Sequence, residues 1–217
     1  MLPAEVLKAN LAEVERRIVD ACGRAGRSRD SVQLVAVTKR HPPELVKAAW
    51  DLGLRHFGEN YAQELRDKHE ALSAQAGIRW HAIGPVQPKN AKYVAKAAHV
   101  FHALERLEVA QELSRRRTGG PLPCFIEVNV AGEASKAGLE PSALGAFIEQ
   151  VKALPNLEVA GLMCMPPLDE KPEASRPAFK QLAQLAKQLG LSSLSMGTTG
   201  DFEVAIEEGA THVRVGT

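Results

Sequence analysis

The sequence has few cysteines, almost no net charge and no long hydrophobic run, and each shortage excludes a class of protein. Its 3 cysteines are widely spaced and form no Cys-x-x-Cys pair, which argues against a disulfide framework and a structural zinc site. Its 27 basic residues nearly balance 26 acidic ones, so no surface for nucleic acid or anionic membrane is indicated. No apolar run approaches the roughly 20 residues of a membrane-spanning helix, and no secretory signal follows Met1. We therefore expect a cytoplasmic protein that binds small molecules.

What is present is the composition of an ordinary globular protein, with 217 residues, 45% of them hydrophobic and 24% charged. No repeat, low-complexity tract or linker divides the chain, so we predict a single domain over residues 1–217. Near the start, Leu7, Leu11, Val14 and Ile18 recur at helical spacing. This stripe predicts an extra helix over residues 1–27 that packs on the rest of the domain.

Eight apolar, β-branched segments alternate with helical patterns along the rest of the chain. The predicted strands cover residues 32–38, 55–57, 79–83, 99–103, 123–130, 159–163, 193–196 and 212–215. The predicted helices cover residues 43–52, 61–72, 90–98, 107–117, 141–154, 174–189 and 202–208. This alternation favours a parallel sheet, because parallel neighbours need crossover connections, and eight such strands close into an α/β fold of the (β/α)8 TIM barrel type. The alternative, an open doubly wound sheet, favours a glycine-rich first strand-to-helix turn, and the turn from Thr38 to Pro42 contains no glycine.

The barrel predicts where function lies, because active sites of such barrels are built at the C-terminal ends of the strands. We therefore expect the unusual residues that follow the predicted strands to converge at one mouth. They are Lys39, Glu59, Asn60, His81, Glu105, Arg106, Asn129, Met163, Met165, residues 197–200 and Arg214.

Lys39 follows the first predicted strand and is the best candidate for chemistry. In a dry pocket the charged form of a lysine amine is disfavoured, and the neutral amine is a nucleophile suited to Schiff-base formation with a carbonyl compound. The alternative is a surface lysine in a strand-to-helix loop.

Two turns late in the chain have the composition of a phosphate site. The first runs from Ser195 to Asp201 and the second from Arg214 to Thr217, and both offer glycines, hydroxyls and backbone amides. Phosphate groups commonly bind after the seventh and eighth strands of such barrels; the alternative is a pair of plain glycine turns. A phosphate site combined with a strand-end lysine suggests pyridoxal 5'-phosphate (PLP), whose aldehyde condenses with a lysine.

Seven short motifs carry a resemblance along the whole chain. They are Val37-Thr38-Lys39, residues 57–64 (FGENYAQE), residues 80–87 (WHAIGPVQ), Asn129 with residues 133–138 (EASKAG), residues 161–163 (GLM), residues 194–197 (LSMG) and residues 213–217 (VRVGT). In this order and at this spacing, the sequence resembles the YggS/PROSC family of pyridoxal phosphate homeostasis proteins.

The resemblance implies a fold-type III barrel, similar to the N-terminal domain of alanine racemase, that holds PLP as a Schiff base on Lys39. The cofactor-binding residues it implies are Lys39, Asn60, Ser195, Gly197, Thr199, Arg214, Gly216 and Thr217. Thr199, Gly216 and Thr217 would hold the phosphate, Ser195 and Gly197 would shape that loop, and Asn60 would lie near the ring or its lysine. Arg214 would face the ring nitrogen, where a guanidinium can only donate a hydrogen bond and so leaves that nitrogen without a proton.

That unprotonated ring weakens the electron sink and disfavours aminotransferase-like carbanion chemistry, so the site suits storage or limited racemase-like proton transfer. The expected function is a non-catalytic carrier for PLP homeostasis and supply. Apo forms of PLP-dependent enzymes are its expected recipients, and no metal is expected. The alternative is a PLP-dependent amino-acid racemase. Racemases of the similar fold take a second acid/base from a further C-terminal domain across a dimer, for which 217 residues leave no room, so we expect a monomer.

The sequence departs from the family pattern at three places. Pro88-Lys89-Asn90 stands where a small polar residue and Asn-Lys are usual, and Thr198-Thr199 stands where Met-Ser is usual. Family members also continue past the final Gly-Thr pair with an apolar stretch and a short helix, whereas this sequence ends at Thr217, which suggests an incomplete chain or a disordered tail.

Several of these residues also have ordinary structural interpretations. Asn60 could cap the following helix, His81 could be a hydrogen-bonded core residue, and Met163 and Met165 could pack the barrel. Glu133 and Lys136 could form a surface pair, and His99 and His102 have no evident metal-ligand partners. Arg214, within the last strand, requires a buried acceptor.

Overall fold

The computed structural model describes residues 4–132, 137–167 and 170–216. Within them, eight parallel strands form a closed barrel in chain order. The strands are β1 (Gln33–Val37), β2 (His56–Glu59), β3 (Arg79–Ala82), β4 (Val100–Leu104), β5 (Leu122–Glu127), β6 (Leu157–Met163), β7 (Ser193–Thr198) and β8 (His212–Gly216). The helices are α1 (Ala4–Arg24), α2 (Pro43–Asp51), α3 (Ala62–Ala71), α4 (Ala91–Ala97), α5 (Leu107–Arg116), α6 (Leu144–Lys152), α7 (Arg176–Gln188) and α8 (Phe202–Glu207).

The helices cover the outside of the barrel through apolar faces. In α7, Phe179, Leu182 and Ala186 are buried at spacings of one or two turns, and such a stripe directs one side of a helix toward the core. α2 to α8 each follow the strand of the preceding number, as crossover connections between parallel strands must. No helix in the described ranges is long and apolar enough to cross a membrane.

The register between β1 and β8 closes the barrel and places the candidate residues. Val35 lies opposite Arg214 and Val37 opposite Gly216. Lys39 is four residues beyond Val35, so its backbone lies at most about 13 Å farther along the strand direction than that of Arg214, at roughly 3.3 Å per residue. Lys39, expected to form the Schiff base, and Arg214, expected to face the ring nitrogen, therefore belong to neighbouring strands. Lys39 lies nearer the C-terminal ends of the strands than Arg214 does.

The predicted barrel is confirmed, and the open doubly wound sheet is wrong because β1 and β8 are paired. The N-terminal helix is shorter than predicted. It ends at Arg24, where the turn that follows places Gly26 at a φ of 64°, a left-handed conformation that stops helices. α1 packs against α8, with Arg17 paired to Glu203 at 2.6 Å.

The fifth strand also ends earlier than the predicted 123–130, at Glu127. Val128 leaves the regular ladder and forms an isolated parallel bridge with Leu139, because the chain turns back against this strand end. Glu133 and Lys136, between these two residues, and Thr217 at the chain end lie outside the described residues. The interpretation of the first two as a surface pair and the phosphate role of Thr217 stay predictions.

Candidate functional site

Lys39 lies two residues beyond the end of β1 and is exposed. Val35 and Val37 point inward, since a Cβ at Gly58 would lie 3.0 Å from Val35 Cγ1 and one at Gly216 would lie 3.2 Å from Val37 Cβ. Lys39 follows in this alternating series. Lys39 lies at the strand end, as predicted. The described residues do not enclose it in a dry pocket, so its amine is accessible to an aldehyde.

Beneath Lys39 is a buried ion cluster, formed by Lys68, Glu59, Glu64 and Thr38. Lys68 is 3% exposed and donates to the Thr38 carbonyl at 2.6 Å, to Glu59 Oε1 at 2.7 Å and to Glu64 Oε1 at 2.8 Å. The Thr38 hydroxyl also donates to Glu59 Oε1 at 2.5 Å. Burial raises the pKa of Glu59 although the Lys68 and Thr38 hydrogen bonds oppose it, and its Oε2 is a buried atom with no hydrogen-bond partner among the described residues.

The cluster holds the chain on both sides of Lys39. Thr38 precedes Lys39, and Arg40 follows it with its backbone N–H donating to Glu64 Oε1 at 2.6 Å. Arg40 has a φ of 62°, which is unfavourable for a residue with a side chain and persists only where surrounding contacts impose it. The ion cluster therefore fixes the direction in which Lys39 leaves the strand.

Arg214 lies inside the barrel, 3% exposed. It donates to the Ser195 hydroxyl, to the Cys164 carbonyl at 3.2 Å and to Met165 Sδ at 2.9 Å. The predicted buried acceptor is thus present. A guanidinium has five N–H groups, so these three contacts leave two donors without an acceptor in the described part of the chain. Cys164 and Met165 follow β6 directly, so the guanidinium reaches the mouth of the barrel.

Ser195 occupies a different place from the one expected. It is 0% exposed, and its hydroxyl contacts Arg214 and lies 2.7 Å from His102 Nδ1, because alternation along β7 turns it into the barrel interior. It therefore supports Arg214 from below and does not line the phosphate loop.

Below Ser195 the barrel interior is filled by histidines, where bulky aliphatic side chains are usual. His102 Nε2 lies 2.8 Å from His81 Nδ1, and His81 Nε2 lies 2.9 Å from His56 Nδ1. Burial lowers the pKa of His102 and His81 well below the usual value, and that of His56 to about 4, so all three rings are neutral at pH 7. The interpretation of His81 as a hydrogen-bonded core residue is confirmed. The place of His102 and His56 in this hydrogen-bonded chain was not predicted, although each lies, like His81, near the beginning or middle of a strand.

The two predicted phosphate turns meet. The Thr199 hydroxyl donates to the Gly216 carbonyl at 2.9 Å, and the Gly216 N–H donates to that hydroxyl at 3.1 Å. Gly197 has a φ of 92°, and a Cβ there would lie 2.6 Å from Ala205 Cβ, so glycine is required for the loop to approach α8. Asp201 precedes that helix, and its carboxylate accepts from the Thr198 N–H at 2.7 Å, which holds the loop closed.

Asn60 lies between β2 and α3. The interpretation as a helix cap is wrong, because Tyr61 is the N-cap residue and no side chain caps the helix. The Asn60 side chain makes no hydrogen bond within the described ranges. The backbone carbonyl of Asn60 lies so close to Gly84 that a Cβ on Gly84 would be 2.4 Å from the carbonyl oxygen. This close approach brings the ends of β2 and β3 together and leaves the Asn60 amide available at the mouth.

The two methionines differ in environment. Met163 is 1% exposed and packs in the barrel as predicted, whereas Met165 is 48% exposed. The interpretation of Met165 as barrel packing is wrong, since its sulfur contacts Arg214 at the mouth.

His99 Nδ1 accepts from the Trp80 N–H at 3.0 Å, and no group of three or more potential metal ligands is found among the residues that the structure describes.

Glu127, at the C-terminal end of β5, is a further buried acid near Arg214 and is 6% exposed. Burial, and to a smaller extent the negative charge of Glu105, raises the pKa of Glu127 to about 7. The positive charge of Arg214 acts in the opposite direction. The folded protein thus retains a proton that the unfolded chain releases near pH 4.5, so this residue makes the protein less stable as pH rises from 4.5 to 7.

We therefore expect Glu127→Gln to raise the free energy of unfolding by up to about 3 kcal/mol at pH 8, and by only about 1 kcal/mol at pH 5.5, where the protein is still folded. Urea unfolding at the two pH values measures this difference. Glu108→Gln, on exposed positions of α5, is the control; an equal effect of Glu127→Gln at both pH values would contradict the assignment.

Comparison with known proteins bears on these observations. The family model for the alanine racemase N-terminal domain matches residues 9–217. The pyridoxal phosphate homeostasis protein of Pseudomonas aeruginosa is 45% identical over 212 residues, which cover 96% of this chain and 92% of that protein. The chain is a member of the pyridoxal phosphate homeostasis protein family. The family resemblance seen in the sequence is thereby confirmed.

A second relative and a solved structure support the assignment. The protein of that name from Aquifex aeolicus is 42% identical over 215 residues, covering 95% of this chain and 94% of the relative. The structure of PipY from Synechococcus elongatus with PLP bound superposes with a TM-score of 0.80 at 30% identity, and covers 92% of this chain and 97% of PipY.

Proposed function

We propose that this protein binds PLP covalently through Lys39 and serves in PLP homeostasis and supply without catalytic turnover. The observation that carries the proposal is the convergence, at one mouth, of an exposed lysine, a buried guanidinium with unused donors and two joined glycine turns. The PLP-bound PipY structure and the names of the relatives support it.

The residues fit such a ligand at three points. PLP supplies an aldehyde that condenses with an amine, and Lys39 is exposed at the strand end. Arg214 retains donors for a ring nitrogen, and Asn60 has an unused amide nearby. Thr199 and Gly216 bind each other at the place proposed for the phosphate, where Thr199 and Gly200 are exposed.

Absence of turnover is the second part of the proposal. Arg214 can only donate at the ring nitrogen and cannot deliver a proton there, and its charge is held inside the barrel by Ser195 and Cys164. The ring nitrogen then stays unprotonated, which disfavours carbanion chemistry. The role of the bound cofactor is accordingly storage, with apo forms of PLP-dependent enzymes as the proposed recipients.

We expect Lys39→Ala to abolish the visible absorbance of protein reconstituted with PLP and the mass increase fixed by borohydride reduction. Lys47→Ala, which removes an exposed lysine paired with Asp51 on α2, should retain both. A colourless wild-type protein that cannot be reconstituted would contradict PLP binding.

The same samples test turnover. An apo PLP-dependent enzyme should gain activity when mixed with loaded wild-type protein, while racemisation of a panel of amino acids should not exceed the blank. Racemisation that disappears in Lys39→Ala would replace the carrier by a racemase.

A further inference from the structure

The histidines inside the barrel form a linear hydrogen-bonded chain that ends at Arg214. Its members are His56, His81, His102 and Ser195, joined by contacts of 2.9, 2.8 and 2.7 Å. His81, His102 and Ser195 are 0% exposed, while His56 is half-buried at the opposite end of the barrel from the mouth. The chain thus runs along the barrel axis and touches the guanidinium at its upper end.

The direction of these hydrogen bonds follows from Arg214. A guanidinium is a donor only, so Ser195 Oγ must accept from it. A hydroxyl has one proton, and His102 Nδ1 is the other polar atom bonded to Ser195, so Ser195 donates to His102. In the reverse arrangement the Ser195 proton would be buried without an acceptor, which disfavours that arrangement by roughly ten- to a hundredfold.

This constraint passes down the chain one ring at a time. A neutral imidazole carries one proton, so His102, whose Nδ1 accepts, carries its proton on Nε2 and donates to His81 Nδ1. By the same argument His81 donates from Nε2 to His56 Nδ1. Burial keeps these rings neutral, and His102 also stacks on Phe125, with ring centroids 4.7 Å apart, which fixes the plane of its ring.

We propose that His102, backed by His81 and His56, is a positioning residue for Arg214: it holds the Ser195 hydroxyl with its lone pairs toward the guanidinium. This role rests on the proposed function in its last step, because it presents the remaining Arg214 donors to the ring nitrogen of PLP. The direction of the chain itself is a property of the protein without cofactor.

Long-range 15N–1H correlation spectra of histidine-labelled protein without PLP test that direction. We expect His102, His81 and His56 to carry their protons on Nε2, with each Nδ1 unprotonated. In His102→Phe this constraint is removed, so His81 and His56 should populate both tautomers. A proton on Nδ1 of His102 would overturn the proposal, whether or not the protein binds PLP.

Two variants at one position test the positioning role. His102→Phe keeps an aromatic ring against Phe125 but removes the acceptor for Ser195, whereas the carboxamide of His102→Asn can place an acceptor near the former Nδ1. We expect His102→Phe to weaken PLP binding by about tenfold and to shift the pH dependence of the visible absorbance of bound cofactor. His102→Asn should stay within about threefold of wild type.

The urea midpoints of both variants separate positioning from folding. Equal binding by wild type and His102→Phe overturns the proposal while PLP binding stands; equal loss in both variants, in proportion to lost stability, overturns it in favour of a purely structural role. If the wild-type protein does not bind PLP, the proposed function fails and the spectra alone decide the direction of the chain.

Discussion

Lowering the pH from 7 to 4.5 should unfold this protein, because five of its seven histidines are buried or half-buried as neutral rings. Burial lowers the pKa of His56, His99 and His212 from 6.5 to about 4, and lowers that of His81 and His102 further. Below pH 6.5 the unfolded chain takes up protons at these rings and the folded chain does not. Stability is therefore fully present above pH 6.5 and is lost as pH falls toward 4.

The size of the effect depends on the groups that act in the opposite direction. Each ring contributes about 1.4 kcal/mol per pH unit, and His56 and His99 count for about half because they are half-exposed. The pKa values of Glu127 and Glu59 are raised by burial, so these two carboxyls favour folding as pH falls. The histidines prevail, with a net loss of about 3 kcal/mol per pH unit, or about 6 kcal/mol between pH 6.5 and 4.5, which equals the total stability of many domains, ~5–15 kcal/mol.

Urea unfolding at half-unit pH intervals, followed by circular dichroism, measures this slope. His212→Phe should reduce it by about 1.4 kcal/mol per pH unit, because that ring packs on Phe125 at 5.0 Å and a phenyl ring can take its place. Gln63→Ala, at an exposed position of α3, is the control and should leave the slope unchanged, because neither side chain titrates. A stability that is constant between pH 7 and 5 would contradict the burial of neutral rings.

The architecture could be predicted from the sequence because its signal is local and repeated. Each strand is a short apolar run and each helix an apolar stripe, so the alternation survives errors of one to three residues at the ends of elements. The location of Lys39 and Arg214 followed from the barrel alone, since the C-terminal ends of parallel strands meet at one mouth. Asn60 shows the limit of this argument: a shift of one residue, to Tyr61, decided which residue occupies the cap position.

The histidine chain could not be predicted, because it depends on register. His56, His81 and His102 are separated by more than 20 residues, and each has the pattern of an isolated histidine in a strand. Pairing places His81 beside Gly58 in β2 and beside Val100 in β4, and only then do the rings come within hydrogen-bond distance. A register shift of one residue would turn them to the outer face.

Lys68 was missed for a different reason. With Glu64 one turn earlier, it has the pattern of an exposed helical ion pair. The signal that could have found it is its position in the apolar stripe, since Ala62, Leu65 and Lys68 are all buried on one face of α3. A lysine in such a stripe requires a buried carboxylate, which Glu59 supplies.

Lys68→Met should therefore destabilise the protein by about 3–5 kcal/mol at pH 8, because it leaves Glu59 buried without a cation. Burial already raises the pKa of Glu59 against the opposing Lys68 contact, so without that contact Glu59 becomes a neutral acid over a wider pH range. A raised carboxyl pKa favours the folded state at low pH. The loss relative to wild type should accordingly be smaller at pH 6 than at pH 8, and urea unfolding at both values measures it.

Two variants separate the charge from the packing. In Lys68→Met/Glu59→Gln no buried charge remains, and most of the stability lost at pH 8 should return. Lys47→Met removes another helical lysine that is paired one turn away, with Asp51 at 2.8 Å, but this pair is exposed and should be worth at most about 0.5 kcal/mol. Equal effects of Lys68→Met and Lys47→Met would show that the buried cluster contributes no more than a surface pair.

The same variants connect the cluster to the proposed role of Lys39. Because Lys68 holds the Thr38 carbonyl, and Glu64, its second partner, holds the Arg40 amide, the direction of Lys39 depends on charges that never touch the cofactor. In Lys68→Met the rate of PLP attachment, measured by stopped-flow absorbance under conditions where the protein is fully folded, should fall by about tenfold, since misplacing a reacting group by about 1 Å costs up to a hundredfold. The double variant should regain stability but not this rate, because it restores neither contact of the lysine. Recovery of both together would mean that the cluster serves folding alone.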